Sequence, residues 1–250
     1  MKTAILTDTT KCIGCQECVK ACKQQNHLPG DLPRRWMLSD GLSARNWTSI
    51  VDGPNRSFVR KQCRHCLEPA CASACPVGAL HKTAIGAVVY DNTKCMGCRY
   101  CMMACPYGIP RYDWAYAVPY IRKCILCYDR LLAGRQPACT EACPTKATIF
   151  GDRDDLLAEA HRRIREKPEL YINHVWGENE VGGSSVLYIS NVDLSFLAGG
   201  ESLGATPLPS TTAKAMDAVP FAFCSVMGLM AGITWIVDRR MNKKEDEPDE

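Results

Sequence analysis

KCMGCRYCMMACP, Lys94 to Pro106, puts four cysteines into eleven residues. A near copy lies upstream. DTTKCIGCQECVKAC (Asp8 to Cys22) matches DNTKCMGCRYCMMAC (Asp91 to Cys105) at Asp, Thr, Lys, Gly, Ala and all four Cys. Two further groups, Cys63-Cys66-Cys71-Cys75 and Cys124-Cys127-Cys139-Cys143, have a longer middle and share the ending Cys-x-x-Ala-Cys-Pro. The order along the chain is tight, long, tight, long. Of 17 cysteines, only Cys224 stands outside these groups.

Three chemistries compete for so many thiols. Structural disulfides belong to oxidising compartments and small secreted domains, and cysteines two residues apart are awkward partners for one another. Zinc takes Cys-x-x-Cys pairs two at a time in a tetrahedron, which explains neither the third cysteine of each group nor the repeated Cys-Pro. The run Cys-x2-Cys-x2-Cys-x3-Cys-Pro is the bacterial ferredoxin pattern for [4Fe–4S] clusters, whose fourth cysteine serves the other cluster of a pair. Sixteen cysteines make four ligand sets with none missing. Gly14 and Gly97 let the backbone approach closely. The fourth cysteine is expected to start a helix, and helical segments to follow the third, as in QECVKACKQQ. The first group has Lys23 where the others have proline, which touches the turn and leaves its ligands complete. The gaps between groups are 40, 19 and 18 residues, and either sequential or nested sharing of the fourth cysteines fits them.

Bulk composition agrees with a fold held by more than apolar burial. The 250 residues suffice for one or two domains, and aromatics are only 8%. A formal charge of +3 gives no case for nucleic-acid binding. Four cubes, each about −2 when oxidised with four thiolates, would add about −8, so nearby cations have a role in tuning potentials. Lys11, Lys94 and Lys123 each precede a first cysteine, and Arg64, Arg99 and Arg122 sit beside ligands. Lys123 is the favoured tuning residue. His65, between Cys63 and Cys66, reads as a hydrogen-bonder rather than a ligand. Gly-rich nucleotide loops, Ser-His-Asp sets and molybdenum or nickel ligand patterns are missing from the sequence, so catalytic residues are expected to be none.

Short β-prone runs flank the groups (AILTD, AVVYD, ATIFG), and SVLYIS reads as another strand. Asp154 to Glu166 reads as an amphipathic helix with Leu156, Leu157, Ala160 and Ile164 on its packing face, ended before Pro168. No cleavable signal peptide fits the first residues. Residues 201–217, rich in Gly, Pro, Ser and Thr, read as a linker. Residues 218–237 carry no charge over about 30 Å of helix, the span of one bilayer core. Arg239, Arg240, Lys243 and Lys244 follow, so the positive-inside rule puts the tail 238–250 in the cytoplasm and the cysteine region on the periplasmic side. Gly228 and Gly232 form a helix-approach motif, Gly-x-x-x-Gly, and Cys224 reads as a small apolar residue.

CRHCLEPACASACPVGAL (63–80), CMGCRYCMMACPYGIPRY (95–112) and KCILCYDR (123–130) resemble the four-cluster ferredoxin-type subunits of membrane-bound respiratory oxidoreductases. FGDRDDLLAEA (150–160), WGENEVGG (176–183) and the C-terminal anchor are most similar to the electron-transfer (beta) subunits of periplasmic nickel–iron hydrogenases and of formate dehydrogenases. The resemblance implies an α+β fold of two interlocked ferredoxin-like (dicluster) domains plus one C-terminal transmembrane helix. Residues 1–200 would form the four-cluster region, an outer module (1–62 with 107–200) enclosing an inner one (63–106). It implies nested ligand sets: Cys12, Cys15, Cys18 and Cys143; Cys22, Cys124, Cys127 and Cys139; Cys63, Cys66, Cys71 and Cys105; Cys75, Cys95, Cys98 and Cys101. It further implies a non-catalytic relay between a catalytic subunit, a nickel–iron hydrogenase or a molybdenum or tungsten formate dehydrogenase, and an integral membrane quinone-reactive subunit. Export would ride with a partner bearing a twin-arginine signal. A dimethyl sulfoxide or polysulfide reductase subunit and a stand-alone membrane-anchored polyferredoxin are the alternatives.

Overall fold

The computed structural model describes residues 2–31, 40–116, 120–198 and 203–245. It comprises two units, Met1–Leu208 and Pro209–Glu250. The first contains, in chain order, β1 (Thr3–Asp8), α1 (Glu17–Gln25), β2 (Thr48–Asp52), β3 (Phe58–Gln62), α2 (Ala70–Ser73), β4 (Leu80–Lys82), β5 (Val88–Tyr90) and α3 (Tyr100–Met103). It continues through β6 (Arg111–Asp113), β7 (Tyr120–Arg122), α4 (Tyr128–Leu132), α5 (Ala138–Glu141), β8 (Thr148–Asp152), α6 (Arg153–Glu166) and β9 (Val186–Ile189). The four β-prone runs fall on β1, β5, β8 and β9.

β1 lies in the middle of a three-stranded sheet, antiparallel to β8 and parallel to β9. The strand before the first cysteine group is thus flanked by strands that follow the last. Side chains of a strand alternate between faces, and both faces of this sheet are covered. Ala4 and Leu6, with Leu187 and Ile189, pack against Leu156, Ala160 and Ile164 of α6. Ile5, Val186 and Tyr188 face a second core that contains Cys18 and Cys139. Each large apolar side chain buried here contributes roughly 1.5–3 kcal/mol. The stripe on α6 is the packing face its spacing predicts, with Leu157 at the margin. The Asp152 side chain accepts from Asp154 N and caps the helix.

The remaining strands form three hairpins, β2–β3, β4–β5 and β6–β7. Helix packing follows the same enclosure as the sheet: α1, from the first cysteine group, packs on α5 from the fourth, and α2 from the second packs on α3 from the third.

The cysteines sit on the helices differently from the expectation. In all four groups the helix encloses the third cysteine: Cys18, Cys71, Cys101 and Cys139 are each its second residue. The entry is set by a left-handed residue (Gln16, Arg99) or by a proline (Pro69, Pro137). In three groups the fourth cysteine ends the helical turn rather than starting one, because the proline after it cannot extend the helix. Where Lys23 replaces that proline, α1 runs for nine residues, against four in α2, α3 and α5. Lys23 is buried, and its ammonium donates to the Pro29 and Arg45 carbonyls at 2.7 and 3.0 Å.

The second unit is α7 (Ser210–Glu245), 36 residues with Pro220 inside it. The expected linker is therefore shorter than 201–217. After Pro209 no breaker remains before position 220, and Ala213, Ala215 and Met216 favour helix. Linker residues 201 and 202 and tail residues 246–250 lie outside the described residues. Among those described, this is the one helix long and apolar enough to cross a membrane.

Asp8 ties the sheet to its surroundings. Its fully buried carboxylate accepts from Tyr171 Oη at 2.9 Å, from Arg163 Nη1 at 3.1 Å and from Thr10 N at 3.1 Å. Asp8→Ala strands these donors and is expected to cost about 3–5 kcal/mol, read as a lower urea midpoint. Asp8→Asn, which keeps one acceptor oxygen for Thr10, should cost less.

Candidate metal centres

Each cysteine group bends at the same place. The residue before the second cysteine is left-handed in all four: Gly14 (φ 68°), His65 (φ 50°), Gly97 (φ 76°) and Leu126 (φ 59°). Only glycine adopts this conformation without cost. His65 and Leu126, both buried, are held there by packing. The bend turns the first and second thiols toward one centre.

Thiols from distant groups then meet. Cys12 has Cys143 and Cys15 as charged neighbours, and Cys18 has Cys139, Cys12 and Cys143. Cys22 neighbours Cys124, Cys139 and Cys127. Cys71 neighbours Cys63, Cys105 and Cys66. Cys101 neighbours Cys75, Cys95 and Cys98. Two of these gatherings enclose cavities: Cys22, Cys124, Cys127 and Cys139 line one, and Cys75, Cys95, Cys98 and Cys101 line another. Among the described residues no three Cys, His, Asp or Glu side chains converge closely enough for a single ion. Tetrahedral zinc, about 2.3 Å from each sulfur, needs such convergence, whereas thiols spaced around a cavity suit a larger body. Cys224 stands apart on the exposed α7.

Burial makes these thiols poor acids by themselves. It pushes Cys18 and Cys66 up to about 12 and Cys101 up to about 11. Iron must therefore displace protons as it binds. Backbone donors ready for sulfur are already in place, from Ala79 N to Cys75 Sγ at 3.2 Å, Leu126 N to Cys124 Sγ at 3.4 Å and Ile109 N to Cys105 Sγ at 3.5 Å. Cys15 and Cys98 are the two exposed cysteines of the sixteen.

The expected cations divide. Lys11 and Lys94 are 45% and 56% exposed and pair with Asp8 and Asp91, three residues back. Lys123 is buried, with Nζ 3.0 Å from the Cys124 carbonyl and 3.9 Å from Cys63 Sγ. Arg64 is buried over the rings of Tyr188 and Tyr107, Arg99 lies over Trp114, and Arg122 pairs with Asp113. His65 is fully buried. Its Nδ1 accepts from Val88 N at 2.9 Å, which leaves Nε2 to donate toward Cys124 Sγ at 3.5 Å. Burial, then Lys123 and Lys82, hold its pKa well below the usual histidine range, so the ring is a neutral hydrogen-bonder between two cysteine groups.

Two basic residues went unremarked in the sequence. Lys82 Nζ donates to the His65 and Cys66 carbonyls, both at 2.8 Å, and burial pulls its pKa down to about 8. Arg60, on β3, is almost completely buried. Neither belongs to a motif.

A 4Fe-4S dicluster domain model matches residues 55–153, and a second 4Fe-4S dicluster model matches residues 11–80. A protein of Nitratidesulfovibrio vulgaris Hildenborough is 43% identical over 94% of this chain and 67% of its own. The hydrogenase-2 operon protein HybA of Escherichia coli O157:H7 is 36% identical over 98% of this chain and 86% of its own. The chain belongs to the ferredoxin-type iron–sulfur (beta) subunits. The nitrate-inducible formate dehydrogenase iron-sulfur subunit of Escherichia coli K12, at 35% identity, matches 75% of this chain and 68% of its own. Membership in this family of electron-transport subunits implies four [4Fe–4S] clusters. The gathered thiols, the cavities they line and the amide donors aimed at sulfur fit that cofactor.

Gly14 offers a direct test of the bend. A Cβ there would lie 2.8 Å from the Phe58 ring at a positive φ. Gly14→Ala is expected to cost about 1 kcal/mol or more and to lower the iron bound per chain. Gly204→Ala, in open space, should leave the iron content unchanged.

Proposed function

We propose that this chain is the non-catalytic electron relay between a hydrogenase-type catalytic subunit and a quinone-reactive membrane subunit. The observation that carries the reading is the meeting of thiols from the first and last cysteine groups, with one exposed cysteine in each of the first and fourth proposed sets. The proposed ligand sets are Cys12, Cys15, Cys18 and Cys143; Cys22, Cys124, Cys127 and Cys139; Cys63, Cys66, Cys71 and Cys105; and Cys75, Cys95, Cys98 and Cys101. The neighbour relations of Cys12, Cys22, Cys71 and Cys101 support this nested sharing. The enclosure of β1 by β8 and β9, and the α1–α5 and α2–α3 packing, support two interlocked ferredoxin-like modules.

When bound, the clusters supply one-electron carriers. The chain's own work is to hold the thiolates, to donate amide hydrogens to sulfur and to keep water from the inner sites. All four thiols of the second set are buried, and none of the third set is exposed. Cys15 and Cys98 leave the first and fourth sets open to partners. Lys123, buried between Cys63 and Cys124, is placed to favour the reduced form of the site around Cys63, so Lys123→Met should lower that site's potential.

The near-complete coverage of this chain by its match to the hydrogenase-2 operon protein supports a hydrogenase partner over a formate dehydrogenase one. The length and apolar character of α7 support a single membrane span. The basic residues after Val237 support a cytoplasmic tail and a periplasmic cluster region.

The test is to solubilise native membranes without oxygen, isolate this subunit with whatever it holds, and assay viologen reduction. Hydrogen alone is expected to drive it. Formate alone would transfer the reading to a formate dehydrogenase. Activity with neither, from an iron-loaded preparation, would overturn it in favour of a reductase subunit or a stand-alone polyferredoxin.

A further inference from the structure

Arg60 is the largest fully buried side chain in the protein, 1% exposed. None of its three guanidinium nitrogens has a carboxylate or carbonyl partner among the described residues, and the group within its reach is the Cys139 thiol. A cation without a carboxylate or carbonyl inside a protein is strongly disfavoured, so something else must balance it. It sits on β3 opposite the buried Ile50. Its backbone is fixed by Tyr188, whose hydroxyl donates to the Arg60 carbonyl at 2.7 Å.

The ionisable groups beside it are the thiols of Cys139 and Cys18, from two different sets, and the Tyr188 phenol. Its cross-strand partner Ile50 and the Tyr188 that holds its backbone lie in the same buried cluster as Cys18 of the first set and Cys139 of the second. The guanidinium therefore stands between the first and second sets of thiols. With iron bound, each set becomes a net anion, and its charge grows by one on reduction.

We propose that Arg60 is a shared counter-cation, placed between the first two cluster sites to raise both of their reduction potentials together. It is a positioning residue for charge and ligates nothing. Its planar, always-ionised head can face two anions at once. A neutral replacement would disfavour the reduced form at both sites while leaving the third and fourth sites untouched.

The proposal rests on the ligand sets given above, and its test keeps the two apart. The iron-loaded complex is titrated electrochemically with detection by electron paramagnetic resonance, and Cys15→Ser and Cys98→Ser mark the signals of the first and fourth sites. If those sets are wrong, the serine variants fail to alter separate signals in an otherwise wild-type chain. In Arg60→Met, the reduction equilibrium constants of the first and second sites are expected to fall about tenfold each, 59 mV for one electron. The other two should hold. Arg60→Lys, which keeps the charge, should stay near wild type. A full iron content with unchanged potentials in Arg60→Met overturns the proposal, as does an equal drop in Arg60→Lys. If Arg60→Met does not assemble, Arg60→Lys decides. Complete iron loading with both potentials kept supports the shared charge. Failure of Arg60→Lys to load iron overturns it, because shape rather than charge would then be what the site requires.

Discussion

Sulfur atoms far apart in sequence must meet, and most of the architecture follows from that demand. Cys12 reaches Cys143, Cys22 reaches Cys124 and Cys139, and Cys71 reaches Cys105. The central place of β1 between β8 and β9 brings the two ends of the cysteine region together. The hairpins between the groups are short, three to five residues per strand, because they need only reverse the chain between fixed sulfur positions. In three of the groups the helices are single turns for the same reason.

The apolar core is correspondingly divided. Of four buried clusters, three contain cysteines, and only the one between the sheet and α6 is built without them. That conventional layer supplies ordinary hydrophobic burial at one side of the molecule. Elsewhere the thiols are both wall and filling, which accounts for a chain this size managing with few aromatic side chains.

The parts legible in the sequence were those written locally. Cysteine spacing announced the cofactor, short β-prone runs announced β1 and β9, and the spacing of Leu156, Ala160 and Ile164 announced α6. The proposed nested sharing is not local, since loops of 18 and 19 residues close either way, and it rests on family resemblance. Position alone also misled about the lysines. Lys11, Lys94 and Lys123 each precede a first cysteine, yet the first two are exposed and pair with Asp8 and Asp91. Tyr120 stands at the matching place before Lys123 and offers no carboxylate. The left-handed bend was legible at Gly14 and Gly97 and hidden at His65 and Leu126, where tertiary packing imposes it. Arg60 was hidden most completely, because it belongs to no motif and only the fold brings it beside the thiols.

The pairing of β1 has a bearing on how the protein is made. A chain emerging from the ribosome folds as its partners appear, at about 5–20 residues per second. The first strand to emerge must wait for β8 and then β9, whereas β4 can close on β5 as soon as residue 90 is out. The centre of the protein can take shape while its leading segment is still unpaired. The strand synthesised before every cysteine group is therefore among the last whose pairing can be completed.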